Sequence, residues 1–423
     1  MAPAMSASEI SGAALYAERE ARLQAAIDLR QPDRVPVIYY SMFWQARYAG
    51  VTCRDVMYDY AALEAATRKV ILDFKPDAYM LPHPIIALGP SMDLIGYRPM
   101  RWPGQGVGEN FSYQYIDGEY MRADEYDDFI FDPTGYLLTK YLPRIAEVFE
   151  PFTAFPDLPA AYYLQLFPSL RPFAAPAMAG ALERLVKAGE AMRRMLQSAR
   201  AFSQEMAGLG FPMGQGATAL APYDYFADNF RGSKAIMLDM FRRKDKLLAA
   251  MEKAAVAITR AAVKVGTRSP SKLVFIPIHW GLDGFMSPDQ FRTFFWTPLR
   301  AVMMSLIDNG LVPLLLWEGD VTSRLETIAD IPRGKAIYWF ERTDIFRAKA
   351  VLGDIACIRG NVPASMLTVG TPDEVTAYCR KLIQVVGKGG GFILDGAIGV
   401  PDEARPENVR AMFEAARTAG VYC

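Results

Sequence analysis

The stretch Leu311-Val312-Pro313-Leu314-Leu315-Leu316-Trp317-Glu318-Gly319-Asp320 decides the fold. It reads as a strand apolar on both faces, which is the pattern of a strand buried in a parallel sheet. It breaks off in an aromatic residue, two carboxylates and a glycine. A carboxylate just past such a strand stands where parallel α/β folds place their chemistry. Asp320 has an equally good local reading, in which it or Thr322 caps the next helix. Glu318 is harder to explain that way, and it becomes the first candidate site residue.

Working outward, the same strand-then-helix rhythm recurs. Apolar strand-like runs occur at 34–40, 78–81, near 211–216, and at 273–279, 335–340, 355–360 and 391–396. Helical patterns fill 12–30, 60–73, 183–206, 288–307, 371–387 and 406–419. Ser287-Pro288-Asp289-Gln290 and Thr371-Pro372-Asp373-Glu374 are capping boxes with proline at the first helical position. In 183–206, Leu185, Ala188, Met192, Met195, Ala199, Phe202 and Met206 recur at alternating steps of three and four, a single apolar helix face. Eight strands joined by crossovers predict an α/β fold, a (β/α)8 TIM barrel forming one domain over 1–423, with an N-terminal helical extension. Residues 84–180 break the rhythm with proline, glycine and aromatics. They are expected to form a long insertion after the second strand, a lid able to wall a site off from water. Within it, Asp117-Gly118 between two aromatic runs predicts a hairpin.

Composition limits the function. The 423 residues are 52% hydrophobic and 12% aromatic, with 46 basic and 47 acidic side chains and a net charge of −1. That balance offers no general attraction to nucleic acid or to an anionic membrane. The four cysteines are far apart in sequence, with no CxxC pair, which fits reduced thiols in a cytoplasmic protein and not a cysteine zinc site. No membrane span and no signal peptide are expected.

In a barrel the residues following each strand share one mouth. This brings Arg47 and Tyr48, His83, Tyr223 and Asp224, His279, Trp280 and Asp283, Trp317, Glu318 and Asp320, Glu341, Arg359 and Asn361, and Asp395 into consideration. Glu318 either gives a proton to a leaving oxygen, if burial raises its pKa, or binds a divalent metal such as zinc with His279. His279 is read as a general acid or base, or as that metal's second ligand, against the plainer reading of a structural imidazole–carboxylate bond. His83, between two prolines, is expected at the surface or in the lid. Trp280, Trp317 and Trp339 suit a flat aromatic guest, and equally a packed core. Arg47 suits a substrate carboxylate, and equally a structural ion pair.

Three motifs then point to a family. They are Pro32-Asp33-Arg34-Val35-Pro36-Val37 before the first strand, Gly360-Asn361-Val362-Pro363 with Gly370-Thr371-Pro372-Asp373-Glu374-Val375, and Gly389-Gly390-Gly391-Phe392-Ile393-Leu394 with Arg405-Pro406-Glu407-Asn408-Val409. Over about 30–420 the chain resembles the uroporphyrinogen decarboxylase superfamily. One branch of it decarboxylates porphyrinogens through an Arg-rich segment after the first strand. Here Gln45-Ala46-Arg47-Tyr48 is similar, but a companion Arg is missing, and Gly396-Ala397-Ile398-Gly399 lacks that branch's His. The other branch moves methyl groups to and from a corrinoid (cobalamin) protein, and its thiol-activating members bind zinc through His-x-Cys after the fifth strand and a later Cys. Here the fifth strand ends Leu316-Trp317-Glu318 and no Cys follows the eighth.

The resemblance therefore implies an O-demethylase. It would pass a methyl group from a small methyl ether, an aromatic one by preference, to a corrinoid on a partner protein. The corrinoid supplies the nucleophile. Glu318, His279 and Asp320 are the expected catalytic group. Arg47, Tyr48, Tyr223, Trp280, Trp317, Trp339, Asn361 and Asp395 are the expected substrate contacts. A decarboxylase of a non-porphyrin acid, a porphyrinogen decarboxylase-like lyase and a ligand-binding barrel without catalysis are the alternatives. The resemblance also implies a homodimer.

Overall fold

A computed structural model describes residues 11–155 and 163–422. Eight short strands run parallel: β1 (Ile38–Tyr39), β2 (Ala78–Tyr79), β3 (Ala217–Thr218), β4 (Leu273–Ile278), β5 (Val312–Trp317), β6 (Ile337–Phe340), β7 (Cys357–Arg359) and β8 (Phe392–Ile393). β3 to β8 pair in sequence order, and β1 pairs with β2. Parallel bridges Tyr79–Met213 and Val37–Leu394 join the two groups at both seams. The pairing thus runs round a ring, the TIM-barrel arrangement. The third strand was expected at 211–216 and is regular only at Ala217–Thr218. Gly214 donates to Tyr79 and Gly216 to Leu273, so this segment changes partner as it climbs.

Among the helices are α1 (Gly12–Ile27), α2 (Tyr60–Phe74), α3 (Pro176–Gly208), α4 (Lys244–Gly266), α5 (Thr297–Asp308), α6 (Ile345–Leu352), α7 (Pro372–Val385) and α8 (Pro406–Thr418). Both capping boxes form, Ser287 with Gln290 and Thr371 with Glu374. α3 extends beyond the expected 183–206 at both ends, and its buried stripe includes Ala188, Met195, Ala199, Phe202 and Met206. No helix among the described residues is long and apolar enough to cross a membrane.

Two-residue periodicity sorts the side chains. Ile38, Ala78, Met80, Phe275, Leu314, Leu316, Ile337, Trp339, Cys357 and Ile393 form the cluster inside the ring. Leu23, Ala26 and Ile27 of α1 belong to the same cluster and stopper the ring where the strands begin. The alternate residues, among them Ile278, Leu315, Trp317, Tyr338, Phe340 and Leu394, face outward into the layer under the helices.

Between β2 and α3 the chain makes short helices and a small sheet. There Gln114–Tyr115 pairs antiparallel with Met100–Arg101. The hairpin expected at Asp117-Gly118 does not form. Asp117 instead accepts from Ser233, and the Tyr120 and Met121 N–H groups both donate to the Phe230 carbonyl. Those donors are spent on the turn after β3, so no strand can pair with them.

Candidate active site

Alternation continues past the strand ends. Ile278 pairs with Trp317 and both face out, so the next residues, His279 and Glu318, turn inward side by side. The Glu318 N–H donates to the Ile278 carbonyl at 3.0 Å. Gly319, at φ +143°, then turns the chain away, and a Cβ there would meet Leu282 at 2.4 Å. Register places Glu341, Asn361 and Asp395 in the same row round the rim. The row beneath it is Pro277, Leu316, Trp339 and Arg359.

His279 Nε2 lies 3.6 Å from Glu318 Oε1, with both side chains more than a third exposed. Behind the ring, Nδ1 meets Asp228 Oδ2 at 2.6 Å. The other Asp228 oxygen accepts the Trp280 indole N–H at 2.7 Å. The His279 backbone N–H donates to Asp224 Oδ2 at 2.8 Å. Burial alone would lower the imidazole's pKa. The hydrogen bond with Asp228, the nearby Glu318 carboxylate, and the charges of Asp224 and Asp228 outweigh it and hold the ring up at about 11. His279 is therefore an imidazolium at neutral pH, a proton donor facing open solvent across Glu318. Asp224 is wholly buried, and its Oδ1 has no partner. Burial, reinforced by the charge of Asp228, pushes its carboxyl up to about 8.

Several expected contacts lie elsewhere. Trp317 faces outward against Phe295 and Tyr338 because its neighbours Leu316 and Glu318 face inward. Tyr223 is buried in that same outer layer, beside Phe295. Tyr48 shares a helix face with Trp44, stacks on it at 5.0 Å and gives its hydroxyl to Asp73 under α2, away from the mouth. Arg47 stays on the rim, held by the Asn110 carbonyl and Glu403. Asp320 is spent on a local turn, its Oδ1 accepting from the Thr322 N–H at 2.8 Å, and the N-cap of the turn that follows is Val321. His83 is neither surface nor lid: it is fully buried, 3.3 Å from Glu64 and against Phe202.

Trp339 does lie inside the ring, with its indole N–H on the Gly396 carbonyl. Trp280 packs on Phe285 at the mouth. Asp395 is buried against Arg359, and burial raises its carboxyl to about 6 despite that partner. Asn361 donates to the Thr343 carbonyl and accepts from Tyr378. Asn361, Thr343 and Tyr378 border a rim cavity of about 540 Å³ between the loops after β6 and β7, which Trp339, Trp280 and Asp395 do not line.

Asp228 was missed. It sits on the Ala227–Arg231 turn, four residues after Asp224. That spacing puts two carboxylates on one helical face, and it was visible in Asp224-Tyr225-Phe226-Ala227-Asp228. Zinc does not fit the pair of Glu318 and His279. Among the described residues no three His, Cys, Asp or Glu side chains gather to hold a metal ion.

Comparison with known proteins adds the lineage. Residues 170–419 match the family model described as Uroporphyrinogen decarboxylase (URO-D). Uroporphyrinogen decarboxylase of Pseudomonas paraeruginosa is 26% identical over 191 residues, 44% of this chain and 51% of that protein. The enzyme of Saccharophagus degradans is 25% identical over 191 residues, again 44% and 51%. The matches span about half the length of these curated relatives. Among solved structures, a methyltransferase from Methanosarcina mazei aligns with 97% of this chain and 99% of its own, with a TM-score of 0.61 and 17% identity. That likeness carries the fold.

Proposed function

The chain belongs to the uroporphyrinogen decarboxylase family, and on that footing we propose that it is a methyltransferase of the O-demethylase type. Its substrate is a small methyl ether, and the acceptor is a corrinoid protein. The observation that carries this reading is the imidazolium of His279, poised 3.6 Å from Glu318 at the mouth of the ring. An ether oxygen leaves poorly unless it is protonated, and a positioned acid supplies that proton. The corrinoid, when its carrier docks, supplies the acceptor for the methyl group.

This chain's residues do the rest. The C–O bonding pair stays on oxygen, which takes the proton from His279 Nε2 and leaves as the alcohol or phenol. Asp228 holds the ring by Nδ1 and stabilises its charge, and Glu318 returns a proton from solvent. In this arrangement His279 is the acid and Glu318 its relay, the reverse of the first assignment. The segment 84–180 acts as a cover. Its Tyr120–Met121 portion is fastened to the turn that bears Asp228, and the Tyr115 phenol is raised in pKa by burial and by the Asp228 charge.

The test mixes the chain with a corrinoid carrier and a methoxylated aromatic and follows appearance of the free phenol. Glu318→Gln and His279→Gln are expected to lower the rate by about 10²–10⁴, and His279→Gln also to lower the melting temperature at neutral pH while the protein still melts cooperatively. Full turnover in either variant would remove the site assignment. A second reading, decarboxylation of a non-porphyrin acid, draws on the decarboxylases that the chain resembles. In it, His279 protonates the carbanion left behind, and carbon dioxide would appear without any corrinoid.

A further inference from the structure

The row below His279 and Glu318 holds a cation with too few partners. Arg359 ends β7 inside the ring and is fully buried. Its guanidinium carbon lies 3.7 Å from the centre of the Trp339 ring. Nε and Nη2 both reach a single oxygen of Asp395, at 2.8 and 2.6 Å. The other Asp395 oxygen accepts from the Gly396 N–H at 2.7 Å. A guanidinium has five N–H donors, and a thioether is a weak acceptor. The remaining Arg359 donors face only the Met80 sulfur, 4.0 Å from Nη1 and 3.9 Å from Nη2. Buried donors left in that state are costly, and native proteins rarely keep them without reason. Methionine is also the apolar side chain that adapts most readily. Tyr40 lies edge-on to Trp339 at 5.6 Å, and its phenol feels the charges of both Glu318 and Arg359. Strand register sets Arg359 and Trp339 one inward-facing row below the acid at the rim.

Resting on the O-demethylase reading, we infer that Arg359 anchors a carboxylate of the substrate, so that the methyl donor is an aromatic acid bearing a methoxy group. The carboxylate takes the place of the Met80 sulfur, and the ring lies along Trp339 and Tyr40. A two-pronged guanidinium–carboxylate contact fixes the long axis of the ring and sends the ether oxygen up to His279. The role expected of Arg47 thereby passes to an arginine in the row below.

Calorimetric titration of the full chain with para-methoxybenzoate and with uncharged para-methoxybenzamide, without any corrinoid carrier, tests this. The acid is expected to bind at least about tenfold tighter. The double variant Arg359→Met with Asp395→Asn removes both charges together and is expected to lose that preference while still melting cooperatively. Met80→Ala clears the space for the carboxylate and serves if the double variant does not fold. It is expected to tighten the acid severalfold and leave the amide unchanged. Equal binding of acid and amide, a preference that survives in the double variant, or no acid-specific gain in Met80→Ala would each overturn the anchor. Binding is read apart from methyl transfer. An acid preference without demethylation therefore sinks the functional reading alone, and demethylation of amide and acid alike sinks the anchor alone.

Discussion

Replacing Asp228 by Asn probes the site at its base. The change is nearly isosteric, so it keeps the shape of the turn and removes one charge 2.6 Å from Nδ1 of His279. A hydrogen bond to a charged group contributes about 1.5–3 kcal/mol, and each pKa unit corresponds to about 1.36 kcal/mol. The ring is more than a third exposed, so solvent screening favours the lower part of that range. The imidazole should fall by about one unit from its starting point near 11. The chain has two histidines. The other, His83, is lowered by burial, so labelled-imidazole NMR separates the two titrations without ambiguity. A native His279 that titrates at or below 6.5, or one that Asp228→Asn leaves unmoved, would refute the claim that Asp228 holds the proton in place.

The same shift makes stability depend on pH. A histidine raised from 6.5 to about 11 stabilises the fold fully below 6.5 and loses that contribution as pH rises through 11. Asp224, raised to about 8, acts in the same direction. The melting temperature should therefore fall steadily between pH 6.5 and 10, and a flat profile there would contradict the pairing. Trp317→Ala should cost about 3–5 kcal/mol of stability, whereas Trp317→Phe should leave ligand affinity within about twofold, since the indole faces the helices. A changed affinity at unchanged stability would place Trp317 in the pocket after all. The dimer implied by the family is checked by sedimentation, and a single species at 47.0 kDa would exclude it.

The ring was legible because its signals are local. Apolar runs, capping boxes and glycine stops each announce one element, and the crossovers follow from their order. His279 and Glu318 were legible for the same reason, each sitting one residue past an apolar run. What failed depended on direction or on distant partners. Residues at strand ends had been grouped by position along the chain, which put Trp317 and Glu318 together, although adjacent strand residues point to opposite sides. Tyr48 was misplaced because its partner, Asp73, lies 25 positions away on α2. Asp117-Gly118 carried a sound turn signal, but the backbone donors of Tyr120 and Met121 just beyond it are taken by Phe230, more than a hundred residues later. Asp228 showed its helical spacing to Asp224, but nothing in the sequence said that this face would meet His279.

The plug of Leu23, Ala26 and Ile27 has a kinetic consequence. A vessel sealed at its base has one doorway, and on the proposed O-demethylase function reactant, spent product and docking carrier must all share it. A carrier seated over that doorway blocks the traffic of small molecules, so the small molecule enters first and the product waits for the carrier to lift. Steady-state rates should then fall as carrier concentration is raised far above saturation, because an occupied doorway shuts out the next reactant.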